Sequence, residues 1–190
     1  MSVLDVGSDK TRLMQREMQK ALYSVEKALI VHSSSFEKDG FAFVCGGVSG
    51  SGKSTLCFKL KNIFTPINDE KNILEFADTA INVKSFCDLN NFCTAKKYLV
   101  NHELSAKLKA FLFVVKEFEK ATSFEKLSDS AQIWKRLLLC AAPPAKGEEQ
   151  LFRHYFSMLE KLTNTTKFFV IRHNIDDSPE FVAERLLEIE

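Results

Sequence analysis

Apolar positions step by three and four residues at the start of the chain. Met14, Met18, Leu22, Val25 and Leu29 share one stripe, with Arg16, Lys20, Glu26 and Lys27 off it and Ser8 placed to cap. That period predicts an amphipathic helix over 9–31. The stretch from His32 to Gly40 is polar and ends in Asp39-Gly40, a turn signal. FAFVCGG, 41–47, is a short apolar run that reads as a buried parallel strand. Leu56, Leu60 and Ile63 then give the inner face of a helix over 53–64, with Pro66 just beyond it. Residues 73–77 read as a second strand closing on Asp78. Val100, Leu104 and Leu108 repeat every four residues and predict a helix over 95–109. AFLFVV, 110–115, is a strand. Phe124, Leu127, Ala131, Trp134 and Leu138 set a helix stopped by Pro143-Pro144, and Leu151, Tyr155, Leu159 and Leu162 set the next. KFFVIR, 167–172, is a fourth strand, and Ser178-Pro179-Glu180 starts a last helix with Pro in its first turn.

Strands alternating with helices predict an α/β fold, a three-layer sandwich with a mostly parallel sheet and helices on both faces. The chain divides into an N-terminal amphipathic helix with linker, 1–40, and a larger unit, 41–190. Ligands of such sheets sit at the carboxyl ends of the strands. The loop after the first strand, Asp78 and the segment after Arg172 are therefore expected on one edge.

Composition narrows this little. The chain has 190 residues, 45% hydrophobic and 27% charged, with 17 Phe as the main core bulk. The 26 basic residues nearly balance the 25 acidic ones, and no dense basic run supplies a nucleic-acid footprint. An anionic ligand must then be held by a local device. The five Cys form no CxxC pair and several lie in apolar stretches, so they read as buried thiols in a reducing compartment. Cys87, Cys93 and His102 are the remote option for a zinc site. No signal peptide or spanning segment is evident, and a cytoplasmic protein is expected.

The local device is GVSGSGKST, Gly47 to Thr55, which matches G-x-x-x-x-G-K-[ST] completely and lies between a predicted strand and a predicted helix. This is a P-loop. Backbone amides of Gly47, Ser49, Gly50, Ser51 and Gly52, with the following helix N-terminus, are expected to cradle phosphates. Lys53 reaches the β and γ oxygens, Thr55 supports the α-phosphate, and the Ser54 hydroxyl ligates Mg²⁺. Asp78, at the end of an apolar strand, is the candidate second carboxylate on the metal side.

From DTA, 78–80, the chain begins to resemble the AIG-type, or IMAP, GTPases. GVSGSGKST, FADTA, LKAFLFVVKEF and FFVIRHNIDD follow the order of that family's loop, DTPG strand, central strand and base-reading strand. The resemblance spans about residues 41–185 and implies GTP and GDP as ligands. It also implies Asn174 and Asp177 as base-binding residues, and a possible homodimer through the N-terminal helix. The sequence departs from the pattern in three places: Ile81 replaces the DTPG glycine, Ile175 replaces the lysine of NKxD, and only Thr65 stands near the first switch. The chain also ends where the family's domain continues to another strand and helix.

The leading expectation is a divergent purine nucleotide-binding protein with slow or partner-dependent GTP hydrolysis. No catalytic residue is singled out; Arg136, Arg153 and Arg172 are available. The alternatives are a small-molecule kinase using ATP, with Asp78 as base, and a non-catalytic nucleotide-binding interaction module.

Overall fold

The fold is described from a computed structural model, over residues 13, 16–25, 27–86, 101 and 103–189. Helix α1 covers 16–24. It is followed by β1 (Ala28–Lys38), β2 (Phe41–Gly46), α2 (Lys53–Leu60), β3 (Thr65–Asn68), β4 (Lys71–Phe76) and β5 (Ile81–Ser85). Then come β6 (Ser105–Glu117), β7 (Ser123–Leu127), α3 (Ser130–Leu137), α4 (Glu149–Thr165), β8 (Lys167–Asn174) and α5 (Pro179–Leu187).

The predicted α/β class is observed, but the sheet is not mostly parallel. Among the described residues only β2–β6 and β6–β8 pair in parallel. The pairs β1–β2, β1–β3, β1–β4, β4–β5, β5–β6 and β7–β8 are antiparallel. Short connections impose this on β1–β2 and β4–β5, because a parallel pair needs a crossover of a dozen or more residues. Asp39 and Gly40 both have positive φ, 55° and 81°, and close a two-residue hairpin between β1 and β2. Ala77 donates its N–H to Ala80 O at 2.9 Å and closes the β4–β5 hairpin.

The helix expected over 9–31 ends by residue 24, and Met14 lies outside the described residues. Ala28 to Val31 are all buried and form the first half of β1, paired with β4. The serines that made 32–40 look like a loop are inside the sheet. Ser33, Ser34 and Ser35 are fully buried, and Asn72 and Asp69 satisfy them. A buried polar group tolerates its position when it is hydrogen-bonded, and sequence polarity conceals such a strand. The helix expected over 95–109 is likewise overturned in its described part, since residues 105–109 open the 13-residue β6. Phe124 and Leu127 belong to β7, and the helix there starts later, where Asp129 Oδ1 accepts from Ala131 N and Gln132 N.

β6 pairs with β2, β5 and β8. Ala110, Leu112 and Val114 face Leu56, Cys57 and Leu60 of α2 and Val182, Ala183 and Leu186 of α5. Phe111 and Phe113 face the opposite layer, with Tyr155, Leu159 and Leu162 of α4. Period-two alternation thus gives one strand two apolar faces, and helices cover both. The Phe111, Phe113 and Phe168 rings lie 5.2–5.9 Å apart. Each such side chain contributes on the order of 2–3 kcal/mol on burial.

α1 folds back on this second layer. Tyr23 is fully buried, its hydroxyl donates to Ala142 O at 2.5 Å, and its ring lies 6.0 Å from that of Tyr155. Met18 and Leu22 pack beside it. Of the stripe read as a candidate dimer arm, Met18, Leu22 and Leu29 are therefore engaged within their own chain, while Val25 is exposed.

Candidate nucleotide site at the P-loop

β2 ends at Gly46, level with Phe113 of β6 and Ser33 of β1. The backbone there is tightly enclosed. A Cβ on Gly46 would meet the Phe111 ring at 2.5 Å and Cys140 Sγ at 3.1 Å. A Cβ on Gly47 would meet Ser51 Oγ at 2.9 Å and Val114 O at 3.2 Å, and its φ of 144° also favours glycine. The chain then turns through residues 48–51, with Ser51 N donating to Val48 O at 3.2 Å. Gly52, at φ 102°, is the N-cap of α2 and supplies no capping side chain. The first turn of α2 carries no acidic residue. Its N–H groups are thus presented to an anion without a competing carboxylate on the helix.

Lys53 is 6% exposed and folds back over the loop. Its Nζ donates to Gly47 O at 2.9 Å and to Val48 O at 3.0 Å. An ammonium has three donors, so this tether centres the charge and leaves one N–H for a phosphate oxygen. Burial lowers the Lys53 pKa, and the charge of Asp69 opposes that shift. Ser54 is half-buried in the first turn, and Ser49, Gly50 and Thr55 are exposed at the rim. Ser51 Oγ is buried and has no hydrogen-bond partner among the described residues.

Asp78 does not join this site. It lies in the β4–β5 hairpin and shares a surface pocket with Lys107, Leu108, Thr165 and Thr166, at the amino ends of β6 and β8. The P-loop meets β6 at Val114 and Lys116, about 20 Å further along at 3.3 Å per residue. The expectation that Asp78 shares an edge with the P-loop is corrected accordingly. The rule that ligands gather where strands end applies to mutually parallel strands, and β4 pairs only with antiparallel neighbours.

A buried carboxylate whose charge reaches Lys53 is Asp69, between β3 and β4. It is 7% exposed, its Oδ1 accepts from Ser34 Oγ at 2.7 Å, and its charge acts on Cys45, Lys53 and Cys57. Sequence reading missed it because Pro66 and the polar residues around it hid β3. The signal was present as Asp69-Glu70 between two short extended runs. His32 lies on the same side, its pKa lowered by burial and by the charges of Lys53 and Lys71.

The segment after Arg172 does reach the P-loop. Gly52 and Thr55, with Lys116, Glu117 and Phe118 from the end of β6 and His173 and Ile175 from the end of β8, line a slot of about 140 Å³. Asn174 and Asp177, the predicted base-binding residues, flank it but are engaged in holding loops together. Asn174 Nδ2 donates to Lys120 O at 2.9 Å and its Oδ1 accepts from Asp176 N at 3.0 Å. Asp177 Oδ2 accepts from Thr122 N at 2.6 Å, and the Thr122 bonds lower its pKa. Lys59 of α2 donates to the carbonyls of Asn174, Ile175 and Asp177.

Of the remaining expectations, Cys45, Cys57 and Cys140 are buried thiols, whereas Cys87, Cys93 and His102 lie outside the described residues. Arg136 lies over the Phe113 ring, and Arg172 approaches Glu125 at 3.9 Å. No cluster of three or more metal-ligating side chains occurs among the described residues, and no described helix is long and apolar enough to cross a membrane.

No family model and no curated protein matches this chain. Among solved structures it is similar to the HPr(Ser) kinase/phosphatase from Coxiella burnetii, at 10% identity and a TM-score of 0.42. That likeness covers 83% of this chain and 97% of the other.

Proposed function

We propose that this chain binds the phosphates of a purine nucleoside triphosphate, with Mg²⁺, in the loop from Gly47 to Thr55. The observation that carries the reading is Lys53, buried and tethered over a glycine-shaped loop at an uncapped helix N-terminus. That arrangement concentrates one ammonium and a set of backbone N–H groups on one point. The oxygen donors on this side suit Mg²⁺, which prefers a hard, oxygen-rich shell completed by water and phosphate. The Ser54 hydroxyl and the Asp69 carboxylate would hold it. Bound there, the ion would neutralise charge on the phosphates.

Guanine selectivity is the finer form of this reading. Its motif residues, Asn174 and Asp177, hold the loops at the carboxyl ends of β6 and β8. We therefore propose a nucleoside triphosphate site whose base preference is set elsewhere. Slow hydrolysis of the bond to the γ-phosphate, or transfer of the γ-phosphoryl group to an acceptor hydroxyl with the nucleoside diphosphate as leaving group, belongs to the same proposal.

Calorimetry with ATP and GTP, with and without Mg²⁺, tests it. Lys53→Ala removes a charge-assisted contact and is expected to weaken both triphosphates by roughly tenfold to a hundredfold. Ser54→Ala should weaken them mainly when Mg²⁺ is present. Equal affinity of Lys53→Ala and wild type would sink the reading.

A further inference from the structure

The slot beside the P-loop has a composition that phosphate binding does not call for. Two large apolar side chains stand exposed on its rim, Phe118 at 75% and Ile175 at 57%. Both line the same slot, beside Gly52 and Thr55 of the phosphate loop. Both are held in place through their backbones. Glu117 Oε1 accepts from Phe118 N at 2.9 Å and from Glu119 N at 3.0 Å, and Lys59 Nζ donates to Ile175 O at 2.5 Å. The cavity of about 140 Å³ is on the order of one that takes a single aromatic ring.

His173 also lines the slot. It is 4% exposed, and its Nε2 is buried with no hydrogen-bond partner among the described residues. Thr122 Oγ1 accepts from Asn174 N at 3.0 Å and lies 3.4 Å from His173 Nδ1, so Nδ1 is the partnered ring nitrogen and Nε2 the one without a partner among the described residues. Burial also keeps the ring neutral, with a pKa lowered to about 4. A buried polar atom with no partner is uncommon and marks a place where a polar partner belongs.

We infer that this slot takes the heterocyclic base of the bound nucleotide, stacked between Phe118 and Ile175 with His173 Nε2 hydrogen-bonded to a polar edge atom of the ring. The inference rests on the phosphate site proposed above. The slot opens at Gly52 and Thr55, the last residues of the loop, so phosphates and base occupy one continuous crevice outside the carboxyl ends of the parallel strands β2, β6 and β8. An aromatic wall, an aliphatic wall and one imidazole nitrogen recognise a purine ring through its π-face and a polar edge atom, features adenine and guanine share. The base grip is thus apolar where a GTPase-like motif would have used a carboxylate.

The test compares ATP, GTP and inorganic tripolyphosphate, each with Mg²⁺, by calorimetry on the full chain. Wild type should bind both nucleotides more tightly than tripolyphosphate. The double variant Phe118→Ala, Ile175→Ala should lose roughly fivefold to a hundredfold for ATP and GTP, the range set by base stacking on an aromatic ring. Its tripolyphosphate affinity should not change, and Phe118→Trp should keep nucleotide binding. His173→Gln, checked for folding by its melting curve, should weaken nucleotides and spare tripolyphosphate. Tripolyphosphate bound by wild type as tightly as ATP and GTP would overturn the slot and leave the P-loop reading standing. So would a double variant that binds nucleotides like wild type. Wild type that binds none of the three would overturn both.

Discussion

His173 shows how one side chain couples stability to pH. Burial, with the nearby Lys59 charge, lowers its pKa to about 4, and the Asp177 charge opposes that shift. An unfolded His titrates near 6.5. Between those values the unfolded state binds the proton and the folded state does not, so stability falls as pH falls from about 6.5 to about 4. The loss from this group is at most about 3 kcal/mol, from roughly 1.4 kcal/mol per pKa unit. His32, whose pKa is also lowered, adds in the same direction. Denaturant melts at pH 7 and pH 4.5 measure the loss, and His173→Gln should make the profile shallower. An equally steep profile in His173→Gln would show that the group does not carry it. His173 itself was not legible in the sequence. Histidine at the end of an apolar strand carries no mark of burial, and only the pairing of β6 with β8 and the Thr122 contact put it under the slot.

At the scale of elements, the β1–β3–β4 region depends on a polar network inside the sheet. Asn72 is fully buried; its Nδ2 donates to Ser33 O at 2.8 Å and Ser33 Oγ at 2.9 Å, and its Oδ1 accepts from Ser35 Oγ at 2.6 Å. Asn68 bridges onward, donating to Lys71 O at 2.7 Å and Ser85 Oγ at 2.8 Å. The network ties β1 to β4, and β3 to β5, in one register. Asn72→Leu would leave Ser33 and Ser35 without this partner. Each orphaned group costs about 1–3 kcal/mol, so a loss of about 3 kcal/mol is expected. That corresponds to a melting temperature lower by roughly 6–12 °C, readable by circular dichroism. Adding Ser35→Ala should recover part of it, since an apolar pair lacks the unmet polar group. If Asn72→Leu melts like wild type, the network is not holding the register. The same network explains why β1 reads as a loop: a run of serines has strand character only when another strand brings the asparagines.

For the molecule as a whole, the N-terminal helix is part of the folded unit. Gln19 donates to Pro143 O at 2.8 Å, His154 Nδ1 meets Tyr23 O at 3.1 Å, and the Tyr23 ring closes over α4. Deleting residues 1–25 would uncover Tyr155 and the adjoining apolar surface. The truncated chain is expected to melt lower and to aggregate more readily, as followed by thermal scanning and light scattering. Tyr23→Ala, which keeps the helix, should cost about 3–5 kcal/mol, the range for emptying a buried aromatic site. A truncated chain as stable as the full one would instead return the stripe to the dimer-arm reading. Removing residues 1–31 is a harsher test, because it also takes the first half of β1 out of the sheet.

The P-loop, the strands that begin near residues 41, 110 and 167, and helices α2, α4 and α5 follow from the chain's local pattern. Each is set by contacts within a few residues: glycine conformation, apolar periodicity, or the Ser178 cap, whose Oγ accepts from Phe181 N at 3.1 Å. Strand direction and partner choice do not follow from local pattern, because they depend on groups far apart in sequence. Hence the sheet turned out largely antiparallel, four strands, β1, β3, β5 and β7, went unread, and Asp78 was separated from the phosphate loop while the charge of Asp69 was brought within reach of Lys53. The slot under Phe118, Ile175 and His173 arises the same way. Its walls come from the ends of two strands that become neighbours only through ladder hydrogen bonds, and a local pattern carries no information about which ends will meet.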